Sequence, residues 1–252
     1  FVDDDIIHVN GKPNPISDFS DINSELMLSD ISTLENTLNR IIKSKNSDKD
    51  KNILKDEVSH ALDKLNNSEF LDKKDLEKVK DFFPDVKMLT QKPMFVIANV
   101  NDQTTRKEID EFKLQLSDNM KIVEVDVKIE TDLNELSNEE KIEFMSEFDI
   151  SESALSKIIK TGYSLLDLKT FFTSGEKESR AWAAKKYYNA HECSGIIHTD
   201  IQKGFIRAET VSYEDYIRCG SEQASKSNGV WRQEGKDYIV SEGDVIYFRF
   251  NV

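Results

Sequence analysis

Lys92-Pro93-Met94-Phe95-Val96-Ile97-Ala98-Asn99-Val100-Asn101-Asp102 reads as a buried strand that ends in a polar turn. Proline fixes φ and has no N–H to give, so Pro93 keeps a helix from running in. Met94 to Ala98 are apolar without a break, the pattern of a parallel strand covered on both faces. Asn99, Asn101 and Asp102 follow at its carboxyl end, where open α/β sheets bind ligands. A side-chain amide and a carboxylate on such a turn can hydrogen-bond the edge of a purine. Taken alone, Asn-x-x-Asp is more often a plain polar turn after a core strand.

Outward from that stretch, the chain has 252 residues, 38% hydrophobic and 33% charged. That is enough for a core in one large or two modest domains. No run of about 18 apolar residues occurs, so no membrane span is expected. From its opening residues no signal peptide is expected. The chain starts at Phe1 and not at Met, as a processed or incompletely supplied protein would. Cys193 and Cys219 fit neither a disulfide framework nor a metal spacing, and His8, His60, His191 and His198 are scattered. A reducing, cytoplasmic setting is the default, with no metal ligand set. The net charge of −14 is uneven: 12 Lys+Arg stand against 13 Asp+Glu from Leu165 onward, and 22 against 35 before it. A general nucleic-acid binder would be basic. DNA binding is therefore not expected, while the near-neutral last part leaves room for a local basic patch.

Before the opening stretch the pattern is helical from Ser24. Ile31, Leu34, Leu38 and Ile41, then Leu54, Val58, Ala61 and Leu65, step by three and four and predict two antiparallel helices that zip together. Asn10 to Pro15 should break any regular element, and Ser44 to Lys51 is a tip too polar to pack. The hairpin is either a brace or an arm that touches a large partner. Leu71 to Phe83 predicts a short helix stopped by Pro84. After the opening stretch, Thr105 and Glu108 cap a helix that carries Ile109, Phe112 and Leu116 inward. Lys121 to Val127 is a second core strand. Ser137 and Glu140 cap a helix with Ile142, Met145 and Phe148 inward. A further helix from Ser151 ends at Gly162, placed for a left-handed cap.

The last ~90 residues change character, the size of a small domain. Leu166–Ser174 and Phe205–Val211 predict strands, Glu178–Lys185 a short helix, and Tyr238–Val240 with Val245–Phe250 a final hairpin.

Several stretches together resemble the Obg-like ATPases, the YchF subfamily of P-loop GTPase-type proteins. These are Phe1-Val2-Asp3-Asp4-Asp5-Ile6-Ile7-His8-Val9, Ile22–Asp30, Thr170–Gly175 with Arg180-Ala181-Trp182, Ser194–Asp200, Gly204–Glu209, Gly235–Val240 and Asp244–Val252. The likeness covers the chain from Phe1 to Val252 and is loosest in the hairpin and after Asn101. The family reads the base with Asn-x-x-Glu; Asp102 is one methylene shorter, and Val100 stands where GTPases carry Lys. Its second base loop is Ser-Ala-Lys-like; Lys128, Ile129 and Glu130 match while Asp126 and Val127 depart.

The resemblance implies an α/β fold class. It predicts a partial P-loop sheet (1–23 and 84–164), an inserted antiparallel helical arm (24–83) and a C-terminal mixed α+β TGS domain of ubiquitin-like β-grasp type (165–252). It implies a cytoplasmic ATPase, with GTP as the alternative nucleotide, that uses ATP and Mg2+ and associates with the ribosome. Asn99, Val100 and Asp102, with Val127 and Lys128, would contact the base. Lys185, Lys186, Lys203, Arg207 and Arg218 are candidates to face RNA through the TGS domain. No Gly-x-x-x-x-Gly-Lys-[Ser/Thr] occurs in the chain, so the phosphate and magnesium ligands are expected upstream of Phe1, catalytic residues are expected to be absent, and this chain is predicted inactive alone. The alternative is a binding module whose hairpin and TGS domain dock protein or RNA regardless of nucleotide. His198-Thr199-Asp200 reads as a capped turn, Cys193 near His191 lacks an orienting third group, and Asp3-Asp4-Asp5 is too clustered for a calcium loop.

Overall fold

The structure, a computed structural model, describes residues 1, 11–116, 120–148, 150–175 and 178–251. The readings at residues 2–10 lie outside the described residues. The chain divides into two compact units, Phe1–Lys157 and Ile158–Val252.

The first unit is led by α1 (Pro15–Lys43), which begins well before Ser24. Asn14 accepts a hydrogen bond from the Ser17 N–H at 3.1 Å. Pro15 starts the helix and does not break it, because the N–H it lacks has no helical partner at that position. Helix α2 (Asp48–Asn66) runs back along it. Ser47 accepts from Asp50 N–H at 3.2 Å, so the polar tip shrinks to the few residues before it. Leu34 and Ile41 pack with Leu54, Val58, Ala61 and Leu65 in one buried core, as the spacing predicts. Truncating such a leucine to alanine costs about 2–5 kcal/mol. Leu71, Leu76 and Val79 complete the cluster. Helix α3 (Glu77–Phe82) is shorter than expected. The Glu57 carboxylate starts it by accepting from Lys78 N–H at 3.3 Å and Val79 N–H at 3.0 Å.

Strands β1 (Phe95–Asn99) and β2 (Lys121–Val125) pair in parallel, Phe95 beside Lys121 through Asn99 beside Val125. Among the described residues, cover on both faces of β1 is not found. Ala98 is buried, but Ile97, on the opposite face, is 48% exposed. An open cavity of about 380 Å³ adjoins β1, lined by Phe19, Ile22, Met94, Ile97 and Phe112.

Helix α4 (Arg106–Lys113) lies between the strands in sequence, started by the Thr105–Glu108 capping box. Three helices follow β2: α5 (Val127–Glu135), α6 (Asn138–Glu147) and α7 (Ala154–Leu165). The Ser137–Glu140 box of α6 forms, but its expected inward face does not: Ile142 and Phe148 are exposed. Gly162 lies within α7, where glycine costs about 1 kcal/mol relative to alanine but is tolerated. The left-handed residue beyond that helix is Asp167, with φ 51°.

The second unit is a five-stranded sheet of β3 (Leu168–Ser174), β4 (Ser179–Lys185), β5 (Phe205–Ser212), β6 (Arg232–Glu234) and β7 (Asp244–Phe250). Its order is β4-β3-β7-β5-β6, with β3 and β7 parallel and the other pairs antiparallel. Two expectations are corrected here. Residues 179–185 are a strand, because Trp182 and Ala184 alternate onto the core face opposite Phe171 and Lys169. Tyr238–Val240 forms no hairpin with β7: Ile239 bridges Asn189 instead, and the Tyr238 hydroxyl and the Ser241 N–H both donate to the Asp244 carboxylate, at 2.7 and 2.8 Å. Strand β7 instead enters the middle of the sheet.

Helices α8 (Ala190–Ile197), α9 (Thr199–Lys203), α10 (Tyr213–Cys219) and α11 (Glu222–Ser227) complete the unit. Phe171, Ala184, Ala208, Ile246 and Phe248 form the core with Ala190 and Cys193 of α8. Lys169 is buried there as well. Its ammonium donates to the carbonyls of Lys186 and Tyr188, each at 2.9 Å, and of Val240.

Candidate functional site

Because β1 and β2 end together, the two segments that leave them start side by side. The Val100 N–H donates to the Val125 carbonyl at 2.9 Å and extends the ladder one step past Asn99. The turn is then built by Asn101. Its Oδ1 accepts from Gln103 N–H at 3.1 Å and from the Thr104 hydroxyl at 2.9 Å, the local bonding that makes Asn a turn residue. Thr105 and Glu108 start α4 immediately beyond. This bonding draws the Glu108 carboxyl below its ordinary range, through the Thr105 N–H and hydroxyl.

On the neighbouring strand, Asp126 is not in a loop. Its Oδ1 accepts from Lys128 N–H at 3.0 Å and Ile129 N–H at 3.1 Å, so it caps α5, and Val127 and Lys128 form the first turn of a helix. A carboxylate suits that position, where the helix leaves N–H groups unpaired. Glu124 of β2 is paired to Arg106 at 3.3 Å and Lys113 at 2.7 Å of α4, which fixes helix to strand. Glu130 of α5 accepts from the N–H groups of Ala154 and Leu155 at the start of α7.

The structure thus brings Asn99, Val100, Val127 and Lys128 to one edge. Asn99, Asp102, Val127 and Lys128 are exposed there, and Val100 is half-buried. Val127 is 54% exposed, an apolar residue turned to solvent beside an amide that has no hydrogen-bond partner among the described residues. This donor set suits the flat, hydrogen-bonding edge of a purine. Among the described residues no group of three or more His, Cys, Asp and Glu side chains could hold a metal ion.

The five cations of the second unit do not converge. Lys185 is on the edge strand β4 and Arg207 on β5, with two strands between them, roughly 14 Å at the usual strand spacing. Lys185 donates to the Leu166 carbonyl at 2.8 Å. Arg207 is paired to Glu209 at 2.8 Å, and Arg218 to Asp215. Lys186 and Lys203 are exposed. His198 accepts the Asp200 N–H on its Nδ1 and itself caps α9. Burial pushes the Cys193 thiol up to about 11, so at neutral pH it is a protonated core residue and not a nucleophile.

Asp30 escaped the sequence reading. It is buried, and accepts from Leu89 N–H at 2.7 Å, Thr90 N–H at 2.8 Å and the Thr90 hydroxyl at 2.7 Å, just ahead of β1. The signal was present: Asp30 occupies a seam position between Met27 and Leu34, where an apolar residue is expected.

A parallel strand pair with polar turns at its carboxyl ends and a long helical hairpin, followed by a five-stranded mixed unit, defines a mixed α/β protein. The Schizosaccharomyces pombe YchF GTPase superposes with a TM-score of 0.77 at 27% identity, over 98% of this chain and 69% of that one. A GTP binding protein from Pyrococcus horikoshii OT3, 17% identical with a TM-score of 0.58, shares the fold over 96% of this chain and 74% of that one. Three similar proteins are each called "Ribosome-binding ATPase YchF". That of Haemophilus influenzae is 40% identical and that of Bacillus subtilis 42% identical, each over 261 residues, and that of Escherichia coli O157:H7 is 42% identical over 257. All of this chain is matched, and 71% of each relative. Residues 168–251 match the family model YchF-GTPase_C, described as "Protein of unknown function (DUF933)". The chain belongs to the YchF family.

Proposed function

We propose that the protein is a cytoplasmic, ribosome-binding ATPase and that these residues carry its base-recognition half, its helical arm and its TGS domain. The observation that carries the reading is the exposed edge formed by Asn99, Val100, Val127 and Lys128 at the shared carboxyl end of a parallel strand pair. Asn99 holds the base through its amide, Val100 and Val127 pack against the ring, and the Val127 N–H is the donor left for it at the start of α5, since those of Lys128 and Ile129 are spent on Asp126. Asp102, exposed on the same turn, is the third contact, and ATP is the nucleotide, with GTP as the competitor. Phosphate and Mg2+ are handled by residues not found in this sequence, so the 252-residue chain does not turn over ATP alone.

The strand order β4-β3-β7-β5-β6, a hairpin flanking a central last strand, supports the β-grasp reading of 165–252. The hairpin within 24–83 is the arm. Of the five candidate cations, Lys186 and Lys203 are the two that face RNA.

The test is Asn99→Ala in the complete protein, with ATP and GTP titrated in parallel. Loss of one base hydrogen bond predicts about tenfold weaker binding with an unchanged melting temperature. Unchanged affinity would sink the assignment. Ribosome affinity that responds to ATP in the complete protein but not in this chain separates the ATPase reading from a nucleotide-independent binding module.

A further inference from the structure

We infer that the outer edge of β4 is a docking site for an extended, acidic-ended peptide, which adds to the sheet as a further strand. The edge is long and open. β4 pairs with β3 through Leu168 beside Lys185 to Ser174 beside Ser179 without a bulge, and among the described residues no strand follows it in the sheet. In an antiparallel pair, alternate residues spend both backbone groups on the partner and the others turn theirs outward. The flanking bonds fix which are which. Gly175 N–H reaches the Glu178 carbonyl at 3.0 Å and Lys186 N–H reaches the Asp167 carbonyl at 2.7 Å. Arg180, Trp182 and Ala184 therefore face β3, and Ser179, Ala181 and Ala183 present N–H and C=O to the outside, while the Lys185 carbonyl accepts the Tyr188 N–H at 2.9 Å.

Natural edges are blunted by shortness, charge, proline or bulges. The opposite edge, β6, follows that rule, with the three residues Arg232, Gln233 and Glu234. β4 does not: its middle is Ala181-Trp182-Ala183-Ala184. Ala181 and Ala183 are exposed and small. A groove of about 340 Å³ opens on their face, lined by Phe172, Tyr213, Tyr216, Ile217 and Val245. Phe172 is directly opposite Ala181, so groove and outward backbone are continuous. An added strand would send alternate side chains into that groove, the arrangement in which backbone pairing supplies affinity and pockets supply selectivity.

The ends of the edge choose the occupant. Arg180, stacked on Trp182 at 4.2 Å, lies at one end and Lys185 with Lys186 at the other. Pairing β4 with a second copy about a two-fold axis at Ala183 would set Arg180 opposite Lys186, and opposed like charges destabilise a pair. A peptide with carboxylates at both ends of an apolar alternation meets the same cations favourably.

The probe is a blocked Glu-Glu-Thr-Val-Thr-Phe-Thr-Glu-Glu peptide titrated onto the 252-residue chain, read by residue-level amide hydrogen exchange. Slowed exchange is expected at Ala181 and Ala183, with Arg180, Trp182 and Ala184 unchanged. Ala183→Pro deletes an outward donor while leaving the β3 ladder intact, and should weaken binding about tenfold or more. Ile217→Glu, on the exposed rim of the groove, should weaken it without touching the strand. A Lys-ended version of the peptide should bind more weakly than the Glu-ended one. Protection that does not alternate, binding that ignores both substitutions, preference for the Lys-ended peptide, dimerisation through β4, or an RNA oligonucleotide protecting the same amides would each overturn the proposal.

Discussion

Asp30 on α1 and Thr90 ahead of β1 are joined twice, by the Thr90 N–H at 2.8 Å and the Thr90 hydroxyl at 2.7 Å, both donated to one buried carboxylate. Leu89 N–H takes the other oxygen at 2.7 Å. Asp30→Ala would leave two buried N–H groups unpaired and should cost about 3 kcal/mol, measured by urea unfolding. Asp30→Asn keeps an acceptor and should recover part of that. Thr90→Val deletes a single bond and should cost about 1 kcal/mol. Equal losses in all three variants would refute this bond-by-bond account.

Gly204 should not tolerate even a methyl group. A Cβ there would lie 1.9 Å from the Asn251 carbonyl oxygen. The Asn251 N–H donates to the Gly204 carbonyl at 2.9 Å, so the backbones touch just beyond β7. Gly204→Ala should lower the melting temperature markedly and speed amide exchange near Phe250. Gly195→Ala should be milder, because its nearest neighbour is the flexible side chain of Gln202.

Lys169→Met keeps the length of the stem but leaves three carbonyls without their shared donor. Burial draws the Lys169 pKa below its ordinary value, and the three acceptors are what make a buried ammonium tolerable. A loss of about 2–4 kcal/mol is expected, with the loops at Lys186–Tyr188 and Val240 exchanging faster. A melting temperature equal to that of the unaltered chain would show that the three acceptors are not what Lys169 serves.

Glu209 gives the second unit an acid limb. It is buried on β5, held by Arg249 at 3.1 Å and Arg207 at 2.8 Å. The hydrogen bond from Arg249, then that from Arg207, draws its pKa below the ordinary 4.5 despite burial. In that case the unfolded chain takes up the proton first. The stabilisation is fully present above about pH 4.5 and is lost as pH falls through the depressed folded value. Glu209→Gln should be less stable at neutral pH and show a flatter decline below about pH 4.5. A parallel decline in both proteins would assign the acid limb elsewhere.

What could be read from residues alone followed the strength of the local signal. The seams Leu34, Ile41, Leu54, Val58, Ala61 and Leu65 repeat at helical spacing and bury as spaced. The Thr105–Glu108 and Ser137–Glu140 caps are short-range bonds written into the chain, and both form. Where long-range pairing decides, local signals failed. Ser179–Lys185 has a composition that suits a helix and becomes a strand because β3 lies beside it. Tyr238–Val240 reads as a strand of a hairpin, but Ile239 bridges Asn189 instead, and a carboxylate several residues away, at Asp244, takes the Tyr238 hydroxyl. Pro15 reads as a breaker by its missing N–H, yet at the first position of a helix that N–H would have no partner, so the same residue starts α1. At the candidate site, the end of β1 and its polar turn were legible, but the helical start at Val127 was hidden until Asp126 was seen to cap it. Asp30 was legible only as an anomaly, since its partners at Leu89 and Thr90 are remote in sequence.

Helix α1 is unbroken from Pro15 to Lys43. Phe19 meets Phe112 of α4 edge-on at 6.0 Å near its start, and Asp30 is fastened to the approach to β1. At 1.5 Å per residue, Lys43 lies about 20 Å beyond Asp30 and Phe19 about 16 Å before it. Leu34 and Ile41 seat its far half in the hairpin core, and Phe112 shares its helix with the Thr105–Glu108 cap. One continuous helix therefore spans from the buried seam of the arm to the helix that opens beside the Asn99 turn, and fixes the spacing between them.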